Sequence, residues 1–175
     1  MYLVSVYFDE KTNRNIRSLI DRVAERTGNV YMQEAHVPPH LTVAAFETRD
    51  EEAAVAALSR VVKRLTSGKI QWTSVGQFLP YVLFIAPVLN AYLHGMISEL
   101  YQAFSELDDV KLNPNYLPFH WQPHTTIGKK LTPEEMQTAF ETMQKSFGVI
   151  EGKVIRIGLA KPNPHRDICV FELHE

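Results

Sequence analysis

The sequence predicts an α+β fold of two duplicated lobes related by a pseudo-twofold axis. Strands line a central cleft and helices cover the outer faces. Three observations predict it. Runs with period-2 apolar alternation take turns with runs at helical spacing. The order strand, helix, long loop, strand, helix, strand occurs twice along the chain. The second strand of each copy opens on one tetrad, Pro39-His40-Leu41-Thr42 and then Pro123-His124-Thr125-Thr126, with the histidines 84 residues apart. The halves fall at roughly 1–79 and 80–175 with no linker between them, which reads as one domain of two lobes packed on each other.

Taken in order, residues 2–8 alternate: Tyr2, Val4, Val6 and Phe8 share one face, and Leu3, Ser5 and Tyr7 the other. This is a strand. Residues 13–27 place Ile16, Leu19, Ile20 and Val23 at helical spacing, with Gly28 as the stop. A polar loop from Asn29 ends in Pro38-Pro39, which forces extended backbone into a strand from His40 to about Phe46. A helix over 50–67 has acids at its start, Lys63 and Arg64 near its end, and Gly68 as its stop, an order that complements the helix dipole. A strand over about 69–78 closes the first copy.

The second copy opens on the apolar strand 81–88, and Asn90 caps a helix carrying Leu93, Ile97, Leu100, Tyr101 and Phe104. A loop runs from Asp108 to Gln122, and a strand starts at His124. Thr132-Pro133-Glu134-Glu135 is a capping box that opens a helix to about Phe147. Strands over about 151–160 and 167–174, joined by a turn through Pro162-Asn163-Pro164-His165, end the chain.

Bulk composition narrows the function classes. The 175 residues carry a net charge of −2. A domain that grips long nucleic acid is usually basic, so a small ligand or a short nucleic-acid end fits better. The single Cys169 rules out an intrachain disulfide and a cysteine-based metal site, and its apolar strand setting reads as a buried, inert thiol. The first residues lack a basic region and read as a strand rather than a signal peptide, and no apolar run approaches the roughly 18 residues of a membrane span. A cytoplasmic protein is expected.

The tetrads carry the chemistry. In a strand, residues i and i+2 point to one face. Each tetrad therefore presents an imidazole beside a hydroxyl, with Leu41 and Val43, or Thr125 and Ile127, turned back toward the helices. Two histidines across a phosphodiester can divide the proton traffic of an in-line displacement, since imidazole titrates near pH 6.5. Hydroxyl donors can hold the non-bridging oxygens as charge builds on them. No metal or other cofactor is needed.

Paired tetrads in duplicated lobes resemble the two-histidine (2H) phosphoesterase superfamily, which includes the 2′-5′ RNA ligase-like proteins and cyclic phosphodiesterases. The resemblance implies two mostly antiparallel sheets lining the cleft. It also implies metal-independent hydrolysis of 2′,3′-cyclic phosphates, on a small nucleotide or an RNA terminus, or of related 2′-linked phosphodiesters. Carried over by position, His40 and His124 are the acid–base pair, and Thr42 and Thr126 hold the phosphate.

Other side chains are candidates for substrate contact. Tyr7 is on the cleft face of the first strand, Lys130 is in phase with His124 and Thr126, and Arg156 shares a face with Val154 and Gly158. Phe119 and Trp121 are placed to form a base-stacking wall. The pairs His120/His124 and His36/His40 are four apart but have prolines between them, unlike a helical zinc site. His94, His165 and His174 read as exposed. Nothing marks a membrane or a protein partner. The rival readings are a 2′-5′ RNA ligase, a 2′-5′ phosphodiesterase, and a binding module that recognises a nucleotide phosphate without turning it over.

Overall fold

Eight strands and five helices follow one another in a computed structural model that describes residues 1–162 and 164–175; the sequence pattern anticipates all but a short helix at Tyr31–Glu34 and a two-residue strand at Lys111–Leu112, which fall in the stretches read as loops. Asn163, in the turn expected before His165, lies outside the described residues. The first copy comprises β1 (Tyr2–Phe8), α1 (Glu10–Thr27), a short α2 (Tyr31–Glu34), β2 (His40–Glu47), α3 (Glu51–Val62) and β3 (Gly68–Phe78). The second comprises β4 (Val82–Pro87), α4 (Ala91–Ser105), β5 (Lys111–Leu112), β6 (Thr125–Lys129), α5 (Pro133–Ser146) and β7 (Ile150–Lys161), followed by β8 (Arg166–Glu172).

Local chemistry explains where the boundaries moved. Asp9 accepts from the Thr12 backbone N–H at 2.8 Å, so α1 begins at Glu10, before its apolar spacing starts. Gly28, at φ 78°, ends it as expected. Gly68 is not the stop of α3, which ends at Val62; it is the first residue of β3, where a Cβ would collide with the Tyr92 ring. The reciprocal capping box at Thr132 and Glu135 is present.

The strands form one sheet in the order β5-β2-β1-β7-β3-β4-β6, with β8 also on β7. Every ladder is antiparallel. The two sheets expected for the lobes are thus joined through the long strand β7, whose first half pairs with β3 and whose second half pairs with β1 and β8.

The duplication is visible in the pairings. β1 pairs with β2 and β7, and β4 pairs with β6 and β3. α1 packs on α5, β6 and β7, while α4 packs on α3, β2 and β3. β3 and β7, the closing strands of the two copies, pair directly, with Gly68, Ile70 and Trp72 facing Val154, Gly152 and Ile150. Each lobe in space therefore takes elements from both halves of the sequence: the first helix of each copy covers the tetrad strand of the other, so residues 1–79 and 80–175 interleave.

The core is continuous under the whole sheet. Val4, Val6, Phe8, Leu41, Val43, Trp72, Ile85 and Ile127 are fully buried on the helix side. Burying such side chains contributes about 1.5–3 kcal/mol each, which fixes the register of both tetrad strands. No helix among the described residues is long and apolar enough to cross a membrane.

Candidate active site

Strand alternation decides what each tetrad shows to the cleft. Leu41, Val43, Thr125 and Ile127 are fully buried, so His40 and Thr42 on β2, and His124 just before β6 with Thr126 on it, are left on the opposite face. β2 and β6 stand far apart in the strand order, yet they approach each other in space because the sheet curls. The Trp121 indole N–H, just ahead of β6, donates to the Thr42 carbonyl at 3.1 Å and ties the two tetrads together.

The histidines are held alike. His40 Nδ1 donates to the Pro38 carbonyl at 2.9 Å, and His124 Nδ1 donates to the Gln122 carbonyl at 3.0 Å. A carbonyl only accepts, so Nδ1 carries the proton and Nε2 is left free to exchange one. Burial pushes both imidazoles below their ordinary pKa. The carbonyls oppose that shift at both sites; at His40 the His165 and His124 rings add to it and Asp167 opposes it.

The surroundings differ. Beside His40, Thr42 Oγ1 lies 3.3 Å from Ser5 Oγ, both buried. Tyr7 pairs in register with His40 on one side and Arg156 on the other, so three candidate side chains form a row across β2, β1 and β7. The Arg156 guanidinium lies 5.8 Å from the Tyr7 ring centroid, and its buried Nε has no hydrogen-bond partner among the described residues. The Tyr7 hydroxyl donates to Asp167 at 3.1 Å; burial first, then Asp167, raises its pKa.

Beside His124 the walls are aromatic. Phe78 meets the imidazole edge-on at 4.7 Å between ring centroids, and Phe84 lies at 5.6 Å. Phe84 pairs in register with Thr126 and lies over Gly76, where a Cβ would come within 2.6 Å of its ring. Neither phenylalanine is evident from the sequence alone. The signal lies in the register of β3, β4 and β6, which is non-local.

Several sequence candidates stand elsewhere. Trp121 is buried, with its indole N–H bonded to the β2 backbone. Phe119 is 86 % exposed at φ 65°, with its ring 4.7 Å from that of His94 on α4, a helix that packs on the far side of β2. Lys130 follows the end of β6 in a left-handed conformation (φ 57°), which breaks the alternation that would align it with His124. Its ammonium sits 4.5 Å from the Tyr31 ring centroid. His94 and His165 are half-buried rather than exposed. Cys169 is half-buried, and burial raises its pKa, consistent with an unreactive thiol. Among the described residues, no three His, Cys, Asp or Glu side chains gather as a metal site would require.

Comparison with known proteins gives the same frame. The family model described as the 2′-5′ RNA ligase superfamily matches residues 14–166. Among solved structures, Escherichia coli LigT in its apo form superposes with a TM-score of 0.58 at 14% identity, covering 99% of this chain and 97% of that one. LigT complexed with 3′-AMP gives 0.63 at 14% identity, covering 99% and 98%. The Thermus thermophilus protein TT0787 gives 0.63 at 16% identity, covering 98% and 97%. At these identities the structures establish the shared fold. No curated protein matches the sequence.

Proposed function

The chain belongs to the 2′-5′ RNA ligase superfamily of two-histidine phosphoesterases, and from that premise we propose that it is a cytoplasmic, metal-independent cyclic phosphodiesterase. Its substrate is a 2′,3′-cyclic phosphate on a nucleotide or an RNA end. The observation that carries the reading is the matched restraint of His40 and His124, each locked through Nδ1 to the carbonyl two residues earlier, with Nε2 free.

In this scheme one Nε2 takes a proton from water as the water oxygen attacks phosphorus. The other, protonated, gives its proton to the ribose oxygen that leaves in line. One P–O bond forms and one breaks, and the ring opens to a phosphomonoester. Thr42 and Thr126 donate to the non-bridging oxygens, where a well-placed donor contributes about 3 kcal/mol to the transition state. That the similar fold of LigT has been solved with 3′-AMP supports a nucleotide as ligand.

The family description supports a second reading, 2′-5′ RNA ligation, in which a ribose 5′-hydroxyl replaces water as the nucleophile, with 2′-5′ phosphodiester cleavage as its reverse. A panel of 2′,3′-cyclic nucleotides, cyclic-ended RNA and 2′-5′ dinucleotides, incubated in EDTA and followed by phosphorus NMR, separates these. Phosphomonoester from the cyclic substrates is the expected result. Turnover confined to 2′-5′ dinucleotides would replace hydrolysis of the ring by the second reading. Nucleotide binding without any product would reduce the protein to a phosphate-recognition module.

A further inference from the structure

The polar row beside His40 includes a guanidinium, Arg156, that the proposed reaction does not use. Arg156 faces Glu172 of β8 in register, but no ion pair joins them among the described residues. Its buried Nε has no acceptor there. His165, on the turn between β7 and β8, has a buried Nε2 that also lacks a hydrogen-bond partner among the described residues, although Asp167 Oδ1 lies 3.2 Å away. Buried polar groups are ordinarily satisfied, so the unpartnered Arg156 Nε, together with a His165 Nε2 approached by Asp167 alone, points to an acceptor supplied from outside.

Both side chains flank Tyr7. Arg156 lies over its ring, and Asp167, the neighbour of His165, accepts from its hydroxyl. The Asp167 carboxylate thus accepts from Tyr7 and also lies beside His165, which pairs with it when protonated. The turn that carries His165 is also anchored from outside. Lys161 reaches Glu51 at 2.6 Å and Arg166 reaches it at 3.9 Å, while the Tyr2 hydroxyl donates to the same carboxylate at 3.2 Å.

We propose that Arg156 and His165 form a second phosphate subsite on the His40 side of the cleft. It takes a phosphate group that the nucleotide carries in addition to the one being opened. The inference rests on the reading of the cleft as a nucleotide phosphoesterase site. The chemistry is that of a 5′-phosphate, which a free 5′-phosphorylated nucleotide carries as a monoester and an RNA 3′ end carries as a diester. A planar guanidinium suits either form.

Calorimetry with adenosine 3′,5′-bisphosphate and 3′-AMP tests the subsite without turnover. The wild type is expected to bind the bisphosphate about tenfold more tightly, the worth of one charge-assisted hydrogen bond. Arg156→Gln and His165→Asn should each weaken the bisphosphate several-fold more than 3′-AMP, and Arg156→Lys should keep part of the preference. Equal affinity of the wild type for both ligands, or variants that weaken both by one factor, would overturn the proposal.

The kinetic arm compares kcat/KM for adenosine 2′,3′-cyclic phosphate, its 5′-phosphorylated form and a cyclic-ended trinucleotide. Preference for both phosphorylated substrates supports a subsite that accepts monoester and diester. Preference for one names the source. A bisphosphate preference in binding with no turnover of any cyclic substrate leaves the subsite standing and removes the phosphodiesterase reading. Turnover with no preference for a 5′-phosphate removes the subsite alone.

Discussion

The two sides of the cleft share a backbone and differ in almost every side chain around it. The strand position facing the tetrad threonine is Ser5 on the His40 side and Phe84 on the His124 side. The neighbouring strand offers Arg156 across from Tyr7 on one side and Ser74 across from Ala86 on the other. The common parts are the histidine, its carbonyl tether and the threonine. In the proposed reaction, proton transfer and phosphate holding rest on this repeated framework. Recognition of the rest of the proposed ligand then falls to an asymmetric lining, polar and charged around His40 and aromatic around His124.

The comparison breaks most readily at the shared parts. His40→Ala and His124→Ala should each lower kcat by about 10²–10⁴, the usual worth of a general acid or base, measured on a 2′,3′-cyclic nucleotide. Thr126→Val should cost about a hundredfold through one lost donor. Thr42→Val removes a donor too, but its Ser5 neighbour remains, so a smaller loss is expected there.

The aromatic side should respond differently. Phe78→Ala, at a 38 % exposed position, should raise KM several-fold with little change in melting temperature. Phe84→Ala empties a buried position over Gly76 and should destabilise the fold by about 3–5 kcal/mol. Equal effects of the two on KM and on stability would erase the distinction between wall and core. Trp121→Phe removes the indole bond to the Thr42 carbonyl and should cost about 1 kcal/mol of stability, read by chemical denaturation.

The pH dependence is the gentlest probe. The proposed reaction needs one neutral and one protonated imidazole, and burial holds both below the usual 6.5. The bell of kcat/KM against pH should therefore centre on the acid side of that value. Stability follows the same sign. A depressed folded pKa means that the unfolded chain takes up protons first as pH falls through about 6.5, so stability is lost from there down through the folded values. His124→Asn should flatten that loss in acid melts.

Much of this was legible in the sequence because it is local. The period-2 runs, the Asn90 and Thr132 caps and the proline that precedes each histidine give the elements and the tetrads directly. What was not legible depends on register and long-range approach. Phe78 reaches His124 across two ladders, and Trp121 reaches β2 from 79 residues away. Gly68 reads as a helix stop until the Tyr92 ring is placed against it. The interleaving of the halves is likewise a matter of which strand pairs with which, and the β3–β7 ladder leaves no mark in composition.

The central claim is that the two tetrads build one site rather than two. Turnover of a 2′,3′-cyclic nucleotide by His40→Ala, His124→Ala and the double variant tests it most directly, since groups that act as a unit are strongly non-additive. The account predicts that each single variant is nearly as inactive as the double. Either single variant retaining about half of the wild-type rate would contradict it, because that is the behaviour of two independent sites.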